Sequence, residues 1–355
     1  MIKIFYIILL LSLNSKVEII GKFNIKNVKI IQEEIEIEDF YDKKSKKFVN
    51  TKVIDSKTFF DVIKWKMNSK SAEWPENVPN QFHYNNPEKI DSNQVAVTFI
   101  NHSSFLLQLD KFNILTDPVF SKRVSPISWA GPKRVRKSGI DIDSLPYIDI
   151  VIISHNHYDH LDINSLVILK EKFNPLFLIP IGDGKILKNK NITNYVELHW
   201  WQTAILNSEF KITFTPAQHF SNRGLFDRDK SQWGSYMINY NNQNIYFGGD
   251  TGYSPHFKKI AKHFKTINLS FIPIGAYEPR YFMRDVHVNP DDAVQAHLDL
   301  NSYKSIGMHF GTFQLTDESI NEPIYDLKLA LKKYKVESDK FITLEVGKTT
   351  IFNLK

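Results

Sequence analysis

The residues best suited to chemistry lie in one short stretch, His155-Asn156-His157-Tyr158-Asp159-His160. It holds three histidines and one aspartate within six residues, and it directly follows the apolar run 148–153, which is typical of a buried strand. Imidazole nitrogens and carboxylate oxygens at this spacing are characteristic metal ligands. The first two histidines can converge on one ion, whereas the aspartate and the last histidine can converge on another. The stretch therefore predicts two adjacent metal ions.

Two ions need further ligands, and we expect each at the end of a strand. His219 follows the predicted strand 210–215, and His309 ends the predicted strand 305–309. Asp250 follows Gly248-Gly249, which closes another strand-like run. Its two oxygens can bridge both ions, and the glycines let the backbone approach without a side-chain clash. These three residues complete the candidate set of metal ligands.

The composition excludes several other kinds of site. The chain has 355 residues, of which 42% are hydrophobic, and it carries twelve histidines but no cysteine. The apolar fraction is enough for a folded core of one large domain or two ordinary ones. Without cysteine there is no disulfide framework, thiolate zinc site, iron–sulfur cluster or cysteine nucleophile. The net charge of +6 agrees with an anionic partner but is a weak signal over this length.

Elements that could position these ligands follow from the pattern of apolar runs. Strands are predicted at 95–100, 105–109, 112–115, 148–153, 176–179, 195–198, 210–215, 236–240, 244–247, 269–273, 305–309 and 341–346. Helices are predicted at 59–67, 161–173, 256–264 and 325–334, and another begins at Asn289-Pro290. Because strands are many and no regular βαβ alternation is present, we expect an α+β fold with packed sheets and helices outside.

The chain divides into three predicted parts. In residues 1–20, Lys3 precedes the apolar run 4–13, which is too short to span a bilayer as a helix and matches the hydrophobic part of a secretory signal. A signal peptide or membrane anchor is therefore expected there, with export or membrane association as the localisation. Residues 21–94, rich in lysine and glutamate, are interpreted as an N-terminal extension over the main domain. Residues 95–355 form that domain.

Four longer motifs carry a resemblance to a known family. They are Ser154 to Asp162, Gly131-Pro132-Lys133-Arg134, Gly248 to Tyr253 and Ile272 to Arg280. Together they resemble the phospholipases D that hydrolyse N-acyl-phosphatidylethanolamine, members of the metallo-β-lactamase superfamily. The similarity runs from about Val95 to the C-terminus. It implies an αββα sandwich with two zinc ions at the sheet edges.

The resemblance also assigns roles to residues. It implies that one zinc is held by His155, His157, His219 and Asp250, and the other by Asp159, His160, His309 and the bridging Asp250. Asp159, Asp250 and His287 are then the catalytic residues, and Tyr158 and His287 face the bound phospholipid. The implied reaction is attack of a metal-bridging hydroxide on the phosphodiester, which yields an N-acylethanolamine and phosphatidic acid.

Three further positions lie near the predicted ligands in the sequence pattern. His102 and Asp117 follow apolar strands, and either could orient metal ligands or occupy a turn. Relatives often carry a lysine three residues after the position of His219, where this chain has Asn222 followed by Arg223. A head-group contact is therefore expected to differ here.

The predicted partners are a phospholipid substrate and an anionic membrane surface. The tract 118–140 is basic, has no acidic residue and contains Trp129 among apolar side chains. Its cations are Lys122, Arg123, Lys133, Arg134, Arg136 and Lys137. Each could contribute about 1 kcal/mol near an anionic leaflet. Nucleic acid is the other candidate, but the tract has few aromatics for base stacking, so no nucleic acid is expected. Homodimerisation is left open.

Other functions in the same fold compete with this prediction. The alternatives are a hydrolase of lactones, a hydrolase of another soluble phosphodiester, and a lipid-binding protein without turnover. The unrelated phospholipase D mechanism with a histidine nucleophile is excluded, because His263-Phe264-Lys265 has Ser270 where an aspartate is required. Histidine and aspartate ligands also accept iron or manganese, so the metal itself is left open.

Overall fold

The computed structural model describes residues 21–33, 40–54, 57 and 59–354. In that part of the chain the strands are β1 Lys29–Gln32, β2 Tyr41–Asp42, β3 Lys47–Phe48, β4 Gln94–Asn101, β5 Ser104–Gln108, β6 Asn113–Thr116, β7 Ile150–Ile152, β8 Leu176–Pro180, β9 Tyr195–Leu198, β10 Gln202–Ile205, β11 Phe210–Thr215, β12 Ser235–Tyr240, β13 Gln243–Phe247, β14 Leu269–Pro273, β15 Ser305–Met308, β16 Phe341–Ile342 and β17 Thr349–Asn353. The α-helices are α1 Phe59–Asn68, α2 Ile163–Phe173, α3 Gly184–Lys188, α4 His256–Phe264, α5 Arg280–Met283, α6 Pro290–Asp299 and α7 Glu322–Tyr334.

Two mixed sheets face each other. One has the order β1-β10-β11-β12-β13-β14-β15-β16, and the other has the order β17-β4-β5-β6-β7-β8-β9. The parallel strands are β13 to β16 in the first sheet and β6 to β9 in the second. Phe105 of β5 meets Phe271 of β14 across the gap, with ring centroids 4.7 Å apart. The sheets therefore pack directly on each other.

Alternation along β7 explains how helices cover the outer faces. Ile150 and Ile152 point into the core between the sheets, whereas Val151 points the other way and packs with Leu166 and Leu169 of α2. Burying each aliphatic side chain contributes about 1.5–3 kcal/mol. On the far side of the molecule, α6 packs on β14, and α4 and α7 pack beside α6. The result is the predicted α+β fold, an αββα sandwich.

Every predicted strand overlaps an observed one, and two of the missed strands form with partners that are distant in sequence. β10 is short and weakly apolar, and it forms between β1 and β11. β17 pairs antiparallel with β4, from the other end of the sequence. The predicted helices appear as α1, α2, α4, α6 and α7. The start of α6 is as predicted, since the Asn289 side chain accepts a hydrogen bond from the Asp292 amide at 2.9 Å.

The N-terminal extension is integrated into the fold. β1 adds an edge strand to the first sheet by pairing Lys29–Gln32 with Gln202–Ile205. Helix α1 is fastened by the indole of Trp65, which donates to the Asp317 carboxylate at 2.9 Å. The predicted signal or anchor, residues 1–20, lies outside the described residues. Among the described helices, none is long and apolar enough to cross a membrane.

Candidate metal centre

Three histidines from two loops bring their ring nitrogens together. His157 Nδ1 lies 2.9 Å from His155 Nε2 and 3.3 Å from His219 Nε2. Four ligands placed tetrahedrally at 2.0–2.1 Å from zinc would be about 3.4 Å apart. The spacing of these three nitrogens therefore suits a shared metal ion.

A second group forms beside the first. His309 Nε2 and His160 Nε2 lie 3.3 and 3.5 Å from Asp159 Oδ2. His160 and Asp159 come from the loop after β7, and His309 follows β15 of the other sheet. The carboxyl ends of strands in both sheets thus supply this group, as the sequence predicted.

Asp250 lies between the two groups. Its Oδ2 is 3.1 Å from His309 Nε2 and 3.2 Å from His160 Nε2. The same oxygen is 3.9 Å from His155 Nε2 and from His219 Nε2. A single carboxylate therefore reaches both groups, which is the geometry a bridging ligand requires.

Gly249 explains how Asp250 reaches this position. Its φ is +58°, and a Cβ there would lie 2.6 Å from the Ser154 Cβ. Both the left-handed backbone and the lack of space favour glycine. The close approach of this turn to the loop after β7 brings Asp250 to the histidines.

Neighbouring groups fix the tautomers of the histidines. Because a carbonyl only accepts, His219 Nδ1 carries the proton that it donates to Val286 O at 2.9 Å. His160 Nδ1 likewise lies 2.7 Å from the Asp117 carboxylate. The neutral ring of His219 is thereby left with an Nε2 lone pair toward the centre. Burial disfavours a charged His160, but Asp250, Asp159 and Asp117 outweigh it and raise the pKa of His160 well above its usual value, so a metal ion there would displace the Nε2 proton.

Several atoms of the centre make no hydrogen bond that meets normal geometry, although carboxylates lie near them. Within the described residues, His160 Nε2, His309 Nε2 and Asp250 Oδ1 are buried without a hydrogen bond. Buried polar atoms are normally hydrogen-bonded, so three atoms without a hydrogen bond at one point are available to ligate a metal ion. Histidine nitrogens and carboxylate oxygens are the donors that zinc and related ions prefer. The residues present therefore fit metal binding.

His102 and Asp117 orient ligands and also adopt unusual backbone conformations. His102 Nε2 lies 3.0 Å from Asp159 Oδ2, and Asp117 accepts from the Ser154 amide at 2.7 Å as well as holding His160. Their φ values are +48° and +33°, in the left-handed region. Non-glycine residues pay strain there, and such strain concentrates at functional sites. The sequence left open whether these residues orient ligands or occupy turns, and in the structure each of them does both.

The electrostatics of the two groups differ. Burial, with the neighbouring imidazoles, lowers the pKa of His155 and His219 well below the usual value, and burial lowers the pKa of His157 to about 4. These rings are therefore neutral at pH 7. Burial disfavours a charged His309, but Asp250 and Asp159 outweigh it and raise its pKa to about 9. A cation binding there would displace a proton, so metal binding is coupled to proton release.

A cavity of about 280 Å³ opens beside the ligands. Its polar lining includes His157, Asp159, Asp250, His287, Lys57 and Arg228. The apolar lining includes five residues that we call the cavity wall, Val62, Trp65, Phe282, Met283 and Leu315. Two of these belong to α1, so the N-terminal extension helps to enclose the site.

The two residues expected to face the phospholipid are placed differently. His287 lines the cavity, its Nδ1 lies 3.9 Å from Asp250 Oδ2, and its backbone carbonyl accepts from Arg280 at 2.8 Å. Tyr158 is not among the residues lining that cavity. Its hydroxyl donates to the Arg223 carbonyl at 2.9 Å, and its ring packs beneath the Arg223 guanidinium at 4.1 Å.

The basic tract contains two kinds of cation. Lys122, Lys133 and Lys137 are exposed, and Trp129 is 77% exposed among them. The guanidinium of Arg134 instead donates to the carbonyls of Ser121 and Val119 and to a serine hydroxyl. Arg123 and Arg136 are half-buried. Only part of the tract is therefore free to meet an anionic surface, because Arg134 supports the loop itself.

Sequence reasoning missed most of the cavity lining. Trp65, Arg228 and Phe282 lie in separate segments with no local motif that marks a site. The only signal was the helical pattern at 59–67, which predicted an element without its location. Long-range packing places these residues beside the ligands.

Comparison with known proteins agrees with this geometry. Residues 112–310 match the family model described as a beta-lactamase superfamily domain. Solved structures with the same fold include a metallo hydrolase from Ignicoccus hospitalis, with a TM-score of 0.56 and 20% identity over 74% of this chain and 100% of that one. Another is an isothiocyanate hydrolase from Delia radicum gut bacteria, with a TM-score of 0.58 and 19% identity over 72% and 99%. At such identities the likeness shows the fold alone.

Curated relatives are closer in sequence. An uncharacterized protein of Mycobacterium tuberculosis is 39% identical over 68% of this chain and 65% of its own length. The N-acyl-phosphatidylethanolamine-hydrolyzing phospholipase D 1 of Caenorhabditis elegans is 36% identical over 70% of this chain and 74% of its own. The mitochondrial enzyme of the same description from Saccharomyces cerevisiae is 34% identical over 75% and 59%. The chain therefore belongs to the family of N-acyl-phosphatidylethanolamine-hydrolysing phospholipases D within the beta-lactamase superfamily.

Proposed function

We propose that this protein hydrolyses N-acyl-phosphatidylethanolamine to an N-acylethanolamine and phosphatidic acid. The observation that carries the proposal is a ligand set for two metal ions that opens directly into a cavity with an apolar wall. The worm and yeast relatives, named for this activity, support it. A phosphodiester needs the metal side of that cavity, and its lipid chains need the apolar side.

Two zinc ions are the proposed cofactors. His155, His157, His219 and Asp250 would hold one, and Asp159, His160, His309 and Asp250 the other. When bound, such a pair supplies a water that ionises near neutral pH and positive charge against phosphoryl oxygens. Direct attack by water on phosphorus means that no covalent enzyme intermediate forms.

The residues of the chain have separate tasks in this reaction. Asp159 and Asp250 complete the ligand set, and His102 holds the Asp159 carboxylate at 3.0 Å. Burial lowers the pKa of His287 to about 4, so its ring is neutral at pH 7 and one nitrogen carries a proton. From the cavity lining, that N–H can donate to a phosphoryl oxygen of the bound phosphodiester. Tyr158 stays a predicted substrate contact, with its own proton committed to the Arg223 carbonyl.

The surface around the site supports membrane binding. Leu225 and Phe226 are 93% and 85% exposed in the loop that follows His219. Gly224 and Arg223 donate backbone hydrogen bonds to the Asp227 carboxylate, which closes the turn beneath them. The ring of Tyr158 connects this loop with the basic tract, since it packs against the cluster that contains Val119 and Val124. Exposed lysines and apolar tips on adjoining loops suit an anionic bilayer.

A direct assay tests the proposal. The metal-loaded full chain is incubated separately with N-acyl-phosphatidylethanolamine in vesicles, a cyclic lactone and a short RNA, each with and without chelator. We expect equal amounts of N-acylethanolamine and phosphatidic acid, abolished by chelator and restored by zinc, and no phosphatidyl transfer to added butanol. Consumption of the lactone or the RNA alone would assign the site to one of the alternative hydrolases.

A further inference from the structure

Arg228 stands out among the arginines near the metal centre because its donors are unused. A guanidinium offers five N–H donors. Arg223 gives its own to the carbonyls of Asn156 and Leu161, and Arg280 uses its own on His287 and Asp292. Arg228 makes no hydrogen bond to any described residue, and its Nε is buried without a partner. Its nearest anion is Asp229, 3.6 Å from Nε.

The position of Arg228 points this unused group at the site. It lines the cavity together with His157 and His287. Its guanidinium lies 4.3 Å from the centroid of Phe220, whose ring in turn packs on His157 and His219 with centroids 4.6 and 4.8 Å apart. One aromatic ring therefore separates the guanidinium from two metal ligands.

The backbone around Arg228 is fixed by the N-terminal extension. The Asp229 carbonyl accepts from the Phe48 amide at 2.8 Å, and the Asp229 amide donates to Ser221 O at 2.8 Å. Phe220 then supports the side chain from below through a cation–π contact. A preorganised guanidinium that makes no hydrogen bond to the described residues and lies beside a metal site has the fork geometry that matches the oxygens of a phosphate group.

We propose that Arg228 is a substrate-binding residue that donates to a non-bridging oxygen of the phosphodiester. This inference rests on the proposed function and deepens it by assigning phosphate recognition to a protein side chain in addition to the metals. Because hydrogen bonds to charged groups are strong, we expect removal of the guanidinium to weaken phosphate affinity by about tenfold to a hundredfold.

The test compares Arg228→Gln, Arg228→Lys and a matched control, Arg284→Gln, all in the metal-loaded full chain. Arg284 is exposed and does not line the cavity. Binding of inorganic phosphate is measured by calorimetry, and kcat and KM are measured with the phospholipid. We expect Arg228→Gln to weaken phosphate binding and raise KM by about tenfold or more, with metal content and Tm as in the control. Arg228→Lys should recover part of the affinity, because it keeps the charge without the fork.

The outcomes separate the two proposals. If the wild-type chain cleaves no phosphodiester but binds phosphate through Arg228, the proposed function fails and the phosphate site stands. Unchanged phosphate affinity and KM in Arg228→Gln would overturn the role of Arg228 while leaving the proposed function intact. Arg228→Gln could also lose metal or folding, and Arg228→Lys could restore them. If the folded fraction of Arg228→Gln then binds phosphate as the wild-type protein does, the role of Arg228 in phosphate binding is overturned.

Discussion

The ligand set and the cavity wall both contribute to the lining of one cavity, yet they are built in opposite ways. The ligand set, His155, His157, Asp159, His160, His219, Asp250 and His309, is polar and mostly comes from one short loop and three strand ends. The cavity wall is apolar and is assembled from α1, α5 and a C-terminal loop. We propose that the ligand set provides the chemistry and that the cavity wall selects the substrate. The two can therefore be disrupted separately.

The largest effect should follow from removing the bridge in the ligand set. Asp250→Asn replaces the charged carboxylate that lies near both histidine groups by a neutral amide, which is a weaker metal ligand. We expect the bound metal measured by atomic emission to fall and hydrolysis to drop by more than about a hundredfold. Full metal content with a normal rate would refute the bridging role.

A smaller effect is expected when a ligand is kept and its support is removed. His102→Gln loses the imidazole that holds Asp159 at 3.0 Å, and such supporting contacts are typically worth about 10–100-fold in metal affinity or activity. Titration with zinc against a competing chelator measures the change. An affinity equal to that of the wild-type protein would mean that His102 only occupies its turn.

The cavity wall should respond in a different way. Trp65→Ala removes a large apolar side chain from α1, and we expect about a tenfold lower kcat/KM for long-chain lipid with unchanged metal content. A small water-soluble phosphodiester should be cleaved nearly as before. Trp74→Ala is the matched control, since its indole anchors the extension through Glu318 O at 2.9 Å but does not line the cavity. Equal losses for both substrates would place Trp65 in general stability instead of substrate selection.

The exposed loop that contains Leu225 and Phe226 should affect vesicle binding and not the rate of bond cleavage. Changing Leu225 and Phe226 together to serine should reduce sedimentation with anionic vesicles about tenfold while cleavage of a soluble phosphodiester stays unchanged. Leu329→Ser, an exposed position on α7, is the control. Unaltered vesicle binding in the double variant would exclude this loop as a membrane contact.

A buried histidine outside the ligand set provides the smallest test. His256 sits between Ser254 and Thr251, and burial lowers its pKa from 6.5 to about 3. Below pH 6.5 the unfolded chain takes up a proton that the folded chain refuses, so stability present above pH 6.5 is lost as the pH falls toward 3. In the metal-free wild-type protein, the unfolding free energy should decrease as the pH falls. In His256→Asn this decrease should be smaller by up to about 1.4 kcal/mol per pH unit. Urea unfolding at pH 6 and 4.5 measures this change. The same difference in unfolding free energy between the two pH values in the wild-type protein and in His256→Asn would contradict the prediction.

The ligand set and the cavity wall also differ in how well they could be predicted from the sequence. The fold and the ligand set were predictable because strand patterns are local and because His155 to His160 follow one strand, with the remaining ligands after others. Arg134 shows the limit: its charge suggested lipid contact, whereas the loop uses it to satisfy carbonyls. Trp65 and Arg228 were not predictable as site residues, since only tertiary packing brings α1 and the loop after His219 to the same cavity.

Attack of water on the phosphorus of a phospholipid at this centre is the central step of the proposed function. Hydrolysis of N-acyl-phosphatidylethanolamine by the metal-loaded chain in ¹⁸O-labelled water tests this claim directly. We predict one labelled oxygen in the phosphate of phosphatidic acid and none in the N-acylethanolamine. Label in the N-acylethanolamine, or no metal-dependent product at all, would contradict the proposed reaction.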